Sequence, residues 1–144
     1  MDTPWMPPAW AELGVKETPG PSATPRVLEY LRIANIATSD DAVPWCSGFA
    51  NWTMAQAQIQ GTKSAAARSW LAWGVPIDSP VYGAVAVFSR GSSTWQGHVT
   101  FVVDRLPDGL LLCLGGNQGD CVSVARYPTS RLLGLRMWTG IHVD

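Results

Sequence analysis

The chain has 144 residues, of which 47% are hydrophobic and 15% are charged. This composition is typical of a compact domain with its own core and excludes a disordered chain. The net charge of -1 and the scattered basic residues argue against a nucleic-acid or anionic membrane partner, which would need clustered lysine and arginine. We expect one domain over residues 1–144, with an N-terminal arm at 1–7 and a C-terminal tail at 139–144, acting as a monomer.

Helical patterns fill the first half of the chain. Each is recognised by apolar residues at three-to-four spacing, by a polar residue or proline at its start, or by glycine at its end. The predicted helices are a short one at Trp10 to Leu13, one that opens at Thr24-Pro25 and continues through Ala34, one from Cys46 to a stop at Gly61, and one between Ser64 and Gly74.

After Pro76 the pattern changes to the alternation that is typical of strands. Strands are predicted at residues 84–89, 97–103, 110–114, 121–126 and 132–138. The connections between them are too short for crossover helices, so the sheet should be antiparallel. The predicted fold class is therefore α+β, with N-terminal helices followed by a C-terminal antiparallel sheet of five to six strands.

No feature of the sequence predicts export or membrane insertion. The start, from Met1 to Trp5, has neither a basic n-region nor an apolar h-region, so we expect synthesis in the cytoplasm without a signal peptide. The longest apolar run, Leu110 to Leu114, is too short to span a bilayer. Cys113 and Cys121 could pair across a turn, but two free thiols fit better in a chain without an export signal.

Cys46 is a candidate nucleophile because of its place in the predicted helix. In the first helical turn, unpaired backbone N–H groups and the positive end of the helix dipole favour thiolate over thiol. A buried structural cysteine is the alternative interpretation, since that is the commonest fate of a lone cysteine. The choice depends on whether a base lies nearby.

His98 is the candidate base. Of the two histidines, His142 belongs to the predicted tail, whereas His98 begins a strand. A turn centred on Pro107-Asp108 places Asn117 directly opposite His98 on the next strand, on the same face of the sheet. The Asn117 amide could then orient the imidazole while its other nitrogen faces Cys46. If the turn were centred half a residue later, Asn117 would lie diagonally across from His98 instead of directly opposite.

Residues beside these three are candidate substrate contacts: Trp45, Ser47, Trp70, Trp95 and Gln96. The tryptophans could line a cleft, although core packing is the commoner fate of a tryptophan. The Ser47 hydroxyl could join the backbone N–H of Cys46 in binding an oxyanion. No metal site is predicted, because His98 has no second histidine or cysteine at ligand spacing, and no cofactor is expected.

Three blocks of the sequence resemble one known family: Pro44 to Phe49, Gly97 to Val99, and Gly115 to Gln118. They are similar to motifs of the NlpC and CHAP superfamily of papain-like cysteine amidases and peptidases, and neighbouring segments resemble its phage- and prophage-associated branch. The resemblance implies a papain-like fold with Cys46 as nucleophile, His98 as base and Asn117 as the third polar residue. Gly115 departs from the pattern, because many CHAP members carry glutamate there. NlpC members usually carry aspartate where this chain has Trp45.

The resemblance also implies a function. Such an enzyme would be a peptidoglycan hydrolase, cleaving an amide bond of the stem peptide or cross-bridge through a thioester. It would act on the cell wall, in the periplasm of a host or target cell, as an endolysin or as an antibacterial toxin delivered by type VI secretion and restrained by an immunity protein. The alternatives are a non-catalytic wall-binding module, or a related cysteine acyl hydrolase or transferase acting on another substrate.

Overall fold

The computed structural model describes residues 2–17, 24–34 and 44–138. The predicted tail at 139–144, with His142, lies outside them. The helices are α1 (Met6–Ala11), α2 (Pro25–Ile33) and α3 (Cys46–Gln56), with short 3-10 helices at Ala67–Ala72, Pro107–Gly109 and Thr129–Arg131. The strands are β1 (Val75–Pro76), β2 (Val85–Ser89), β3 (Gly97–Leu106), β4 (Leu110–Gly115), β5 (Ser123–Pro128) and β6 (Leu132–Met137). The predicted α+β class, with helices first and an antiparallel sheet second, is confirmed.

The first helix begins earlier than predicted, and the end of the predicted N-terminal arm belongs to the core. Helix α1 has prolines in its first turn, where a missing backbone N–H breaks no helical hydrogen bond. Trp5 and Met6 are buried, and the Trp5 indole N–H donates to the carbonyl of Gly83 at 2.8 Å. Within the described residues, no helix has the length and apolar character needed to cross a membrane.

Helix α3 begins at Cys46 as predicted but ends at Gln56 rather than near Gly61. The chain leaves the helix in a turn in which Gln58 takes a φ of 60°. At its other end α3 lies very close to α2, since a Cβ atom at residue 48 would stand 2.7 Å from the Tyr30 carbonyl oxygen. Glycine at position 48 therefore allows the two backbones to meet, which fixes where the start of α3 sits.

All six strands form one antiparallel sheet in the order β1-β6-β2-β3-β4-β5. The five longer strands were predicted, whereas β1 has two residues and gave no pattern. The predicted strand at 121–126 starts at Ser123, and Cys121 instead forms an isolated bridge with Lys16. Helix α3 packs on the central strands β3 and β4. The N-terminus of α3 is thereby held over the first residues of β3.

The sheet is strongly curved. Strands β5 and β6 are joined only by the 3-10 helix Thr129–Arg131, yet β5 lies at one edge and β6 pairs with β2. This short link requires the β5 edge to curl back toward β2. As a result the Tyr127 ring stacks on Phe88 of β2, with 5.1 Å between ring centroids. Phe88 pairs with His98 across the sheet, so the curl brings Tyr127 to the histidine.

Candidate active site

The structure brings Cys46 and His98 together. Cys46 is the first residue of α3, and the first backbone hydrogen bond of that helix runs from the N–H of Phe49 to the carbonyl of Trp45. His98 is the second residue of β3. The His98 imidazole and the backbone N–H of Val99 lie close enough to the sulfur of Cys46 for both to lower the pKa of its thiol. Both side chains are only 4% exposed, so the pair is largely shielded from water.

This environment favours the thiolate of Cys46. Burial raises the pKa of the thiol, but the favourable interactions of the sulfur with the His98 imidazole, the Val99 N–H and the charge of Arg90 outweigh burial and leave the pKa below its ordinary value. Cys113 shows the contrast, because burial without such partners raises the pKa of its thiol to about 12. All three cysteines are free thiols, and Cys46 is the one whose pKa a neighbouring histidine lowers.

The side chain that holds the imidazole is Gln118. Its Oε1 lies 3.0 Å from Nε2 of His98, and the Thr100 hydroxyl donates to the same oxygen at 2.7 Å. The Gln118 amide nitrogen donates to the carbonyls of Cys113, at 3.1 Å, and Ser123, at 2.7 Å. Each of the four hydrogen-bonding positions of the amide therefore has a partner.

These partners fix the protonation pattern of the histidine. The carbonyls of Cys113 and Ser123 can only accept, so they determine which end of the Gln118 amide is the nitrogen. The oxygen must then face His98, and Nε2 of His98 must donate. The remaining ring nitrogen, Nδ1, is the one available to Cys46. Gln118 thus sets both the tautomer and the ring orientation that a general base needs.

Asn117 does not face His98. The predicted register holds for Phe101 with Leu114 and for Val102 with Cys113. Nearer the turn the pairing is shifted by one residue, with Asp104 opposite Leu112, and β4 ends at Gly115. Asn117 lies in the following loop with a φ of 59°, a left-handed conformation that asparagine tolerates better than most residues. Its side chain makes no hydrogen bond in the described part of the chain. The predicted pairing of Asn117 with His98 is therefore wrong. The next residue, Gln118, is the one that hydrogen bonds to His98.

Two glycines allow the loop to deliver Gln118. A Cβ atom at residue 115 would lie 2.6 Å from Oε1 of Gln118 and would also collide with the Thr100 hydroxyl. A Cβ atom at residue 116 would lie 2.6 Å from Cβ of Phe49 in α3. The sequence resemblance implied a glutamate at position 115, but here the Gln118 amide occupies the space that a side chain at this position would need.

Tyr127 covers another side of the imidazole. Its ring centroid lies 5.0 Å from that of His98, with the planes tilted by 32°. Burial raises the pKa of Tyr127 to about 12, so the phenol is neutral at physiological pH and adds no charge beside the thiolate. The histidine is therefore held by its hydrogen bond to the Gln118 amide and by the neighbouring ring of Tyr127.

Three of the predicted substrate contacts are wrong, because their side chains are buried in the interior. The Trp45 indole N–H donates to Glu17 at 2.9 Å, and the Trp70 indole N–H donates to the Ser47 hydroxyl at 2.9 Å. Ser47 in turn donates to the carbonyl of Ser64 at 2.6 Å. These hydrogen bonds fix the start of α3 against the interior. They use the polar groups of the three side chains, so none is free to bind a ligand or an oxyanion.

The other two predicted contacts line a cleft. It has a volume of about 300 Å³ and is lined by Pro44, Ala65, Ala66, Ala67, Arg90, Trp95, Gln96 and Gly97. Cys46 and His98 are not part of the lining, but Pro44 lies two residues before Cys46 and Gly97 directly precedes His98, so the cleft lies next to the segments that carry the reactive pair. Trp95 is 73% exposed, an unusual position for so large an apolar side chain. Arg90, which the sequence did not single out, is the only charged residue in the lining.

This arrangement is suited to acyl transfer. A thiolate can attack a carbonyl carbon, and the adjacent imidazolium can return the proton to the leaving group. The backbone N–H groups in the first turn of α3 have no acceptor within the helix and are suitable donors for a negative oxygen. Among the described residues, no three histidine, cysteine, aspartate or glutamate side chains lie close enough together to hold a metal ion.

Thiol alkylation should reveal the lowered pKa of Cys46. We expect iodoacetamide to modify Cys46 faster than Cys121 near neutral pH, and the Cys46 rate to fall only when the pH drops below the lowered pKa, because the thiolate is lost there. Peptide mass spectrometry between about pH 5 and about pH 9 measures both rates in one sample. A Cys46 rate that titrates near about 8.5, as in an ordinary thiol, would contradict this expectation.

Comparison with known proteins adds one finding. A model of the CHAP domain family matches residues 38–117, more than half of the chain, and the match includes both Cys46 and His98. Helices followed by an antiparallel sheet agree with the papain-like fold that the sequence resemblance implied. The matched region ends one residue before Gln118. No curated protein matches the chain.

Proposed function

The chain belongs to the CHAP domain family, and on that basis we propose that it is a cysteine hydrolase that cleaves an amide bond in the stem peptide or cross-bridge of peptidoglycan. Membership indicates the coarse class, a hydrolase of the peptidoglycan-degrading or amidase type. One observation supports catalysis by this chain in particular: His98 lowers the pKa of the Cys46 thiol beside it, and Nε2 of His98 lies 3.0 Å from Oε1 of the fully paired Gln118 amide.

The proposed reaction has two halves. The Cys46 thiolate attacks the carbonyl carbon of the scissile amide, and the resulting oxyanion accepts a hydrogen bond from the backbone N–H of Cys46. Imidazolium at His98 protonates the leaving amine as the carbon–nitrogen bond breaks, which leaves a thioester on the sulfur. His98 then takes a proton from water, the water oxygen attacks the thioester, and a carboxylic acid departs as the thiolate is restored.

Gln118 acts as a positioning residue in this scheme. It accepts a hydrogen bond from Nε2 of His98 through both halves of the reaction, so Nδ1 stays directed at the sulfur and at the leaving group. Its neutral amide adds no second negative charge, which would compete with the thiolate for the imidazolium. Thr100 and Tyr127 limit the movement of the amide and of the ring.

We place the activity at the cell wall, in the periplasm of a host or target cell. An endolysin of a phage- or prophage-associated branch would meet peptidoglycan there, and so would an antibacterial toxin delivered by type VI secretion. In the second setting a cognate immunity protein would block the cleft beside Cys46. The proposed substrate and the chemistry are the same in both.

The substrate can be tested with purified sacculi. Hydrolysis of a peptide amide creates one new amino group per bond and no reducing sugar end, whereas hydrolysis of the glycan creates reducing ends only. We expect the wild-type protein to release amino groups with time and to leave the reducing ends constant. A rise in reducing ends, or no rise in either over a heat-inactivated control, would contradict the proposal.

A further inference from the structure

Arg90 gives the cleft a positive charge that no salt bridge within the described residues neutralises. It directly follows β2 and is exposed. In the described residues the salt bridges are those of Arg26 with Glu12 and Glu29, and Arg90 takes part in none. The other residues lining the cleft are apolar or neutral, so no carboxylate of the lining competes for this guanidinium. A charge of this kind in a concave site favours an anionic ligand.

The loop that carries Arg90 is anchored at both ends by other arginines. Arg131 donates from Nε and Nη2 to the carbonyl of Ser89, the residue before Arg90. Arg68 donates to the carbonyl of Ser93 at 2.7 Å and to that of Gln96 at 2.8 Å. These hydrogen bonds hold the loop at a defined place beside the cleft. They also add two further positive charges around Arg90, which strengthens the local field.

The positive charge lies within electrostatic range of the chemistry, since the guanidinium of Arg90 contributes to the lowered pKa of the Cys46 thiol. Trp95 forms a second wall and presents a largely exposed indole. The third wall is apolar and consists of small side chains, those of Ala65, Ala66 and Ala67. A ligand with one carboxylate and a short aliphatic chain would match all three walls.

We propose that Arg90 and Trp95 form a subsite for a free carboxylate of the stem peptide, adjacent to the scissile amide. The planar guanidinium binds a carboxylate through two parallel hydrogen bonds, which a primary amide of the same shape cannot reproduce. The subsite therefore selects stem peptides by charge, accepting the free acid and discriminating against the amidated form. The inference rests on the proposed function, because it takes peptidoglycan as the substrate.

Binding to a catalytically inactive protein tests the subsite without turnover. The probes are synthetic stem peptides, each paired with a version in which one carboxylate is a primary amide. In calorimetry with the Cys46→Ala variant, we expect one such pair to differ by about tenfold in Kd in favour of the acid. Adding Arg90→Gln should remove the preference, whereas adding Arg105→Gln, at the far end of β3, should retain it.

The outcomes separate the subsite from the hydrolase. Equal Kd values within every pair, no binding at all, or a preference that survives Arg90→Gln would each overturn the subsite. Turnover of the same peptides by the wild-type protein reports on the hydrolase independently. Cleavage of acid and amide at equal kcat/KM would overturn the subsite and support the hydrolase. Acid-selective binding that depends on Arg90, without any cleavage, would support the subsite and overturn the hydrolase.

Discussion

Replacing Cys46 by alanine should reduce the hydrolysis of sacculi by at least about 10⁴-fold, because no other group in the site can form the acyl intermediate. Cys46→Ser should fall nearly as far, since the hydrogen bonds and charges that stabilise a thiolate here are insufficient to ionise a hydroxyl. The measurement is the initial rate of amino-group release at a fixed enzyme concentration.

Cys121→Ser is the matched control for these variants. Cys121 is a partly exposed free thiol whose sulfur donates weakly to the Gln118 carbonyl at 3.5 Å, a contact that a serine hydroxyl can replace. We expect this variant to keep activity close to that of the wild type. Residual activity of Cys46→Ala within about tenfold of the wild type would exclude Cys46 as the nucleophile.

Gln118→Ala should lower kcat by about 10²-fold with little change in KM, because the imidazole would lose the acceptor that sets its tautomer and orientation. The variant also leaves the carbonyls of Cys113 and Ser123 without their amide donor, which costs about 1–3 kcal/mol of folding stability for each unsatisfied group. Rates must therefore be measured well below the unfolding temperature of the variant. The pH profile of kcat/KM should change as well, which a loss of stability alone does not cause.

Asn117→Gly is the control that distinguishes the role of Asn117 from that of Gln118. Glycine adopts the left-handed φ of 59° at this position without strain, so the loop should keep its shape and Gln118 its place. We expect activity within about threefold of the wild type, since no hydrogen bond of the site is removed. A loss as large as that of Gln118→Ala would show that the Asn117 side chain, and not Gln118, orients His98.

Much of the fold is encoded in local patterns and could be predicted. Alternating apolar residues and turn residues placed five of the six strands, and the start of α3 at Cys46 followed from its apolar spacing. Strand β1 was missed because two residues carry no periodicity, and β6 rather than any local preference holds them extended. The start of helix α1 was predicted too late in the chain because the packing of Trp5 and Met6 in the core decides where the helix begins.

The reactive pair was predictable, but the residue that positions it was not. Cys46 was found from a predicted helix start, and His98 from its place at the start of a predicted strand. Gln118 was missed because extrapolating the strand register assumes that β4 continues, whereas the chain leaves the sheet at Gly115 to pack Gly116 against α3. The one local signal was the Gly-Gly-Asn sequence, which is typical of a turn with a left-handed asparagine.

Local sequence also did not show which tryptophans line the cleft. Trp45, Trp70 and Trp95 all flank site motifs, and nothing in the local sequence distinguishes them. Tertiary packing buries the first two and leaves the third exposed. Arg90 was missed for a similar reason, because an isolated arginine after a strand becomes notable only when the cleft around it contains no acidic residue.

Mass spectrometry of muropeptides tests the proposed hydrolase most directly. Sacculi would be incubated with the wild-type protein or with Cys46→Ala, and the soluble fragments compared. We predict fragments from the wild-type protein alone, all carrying the new amino and carboxyl ends of one type of peptide amide bond. The same fragments at equal yield from Cys46→Ala, or fragments cut only within the glycan, would contradict hydrolysis of a peptidoglycan amide by this cysteine.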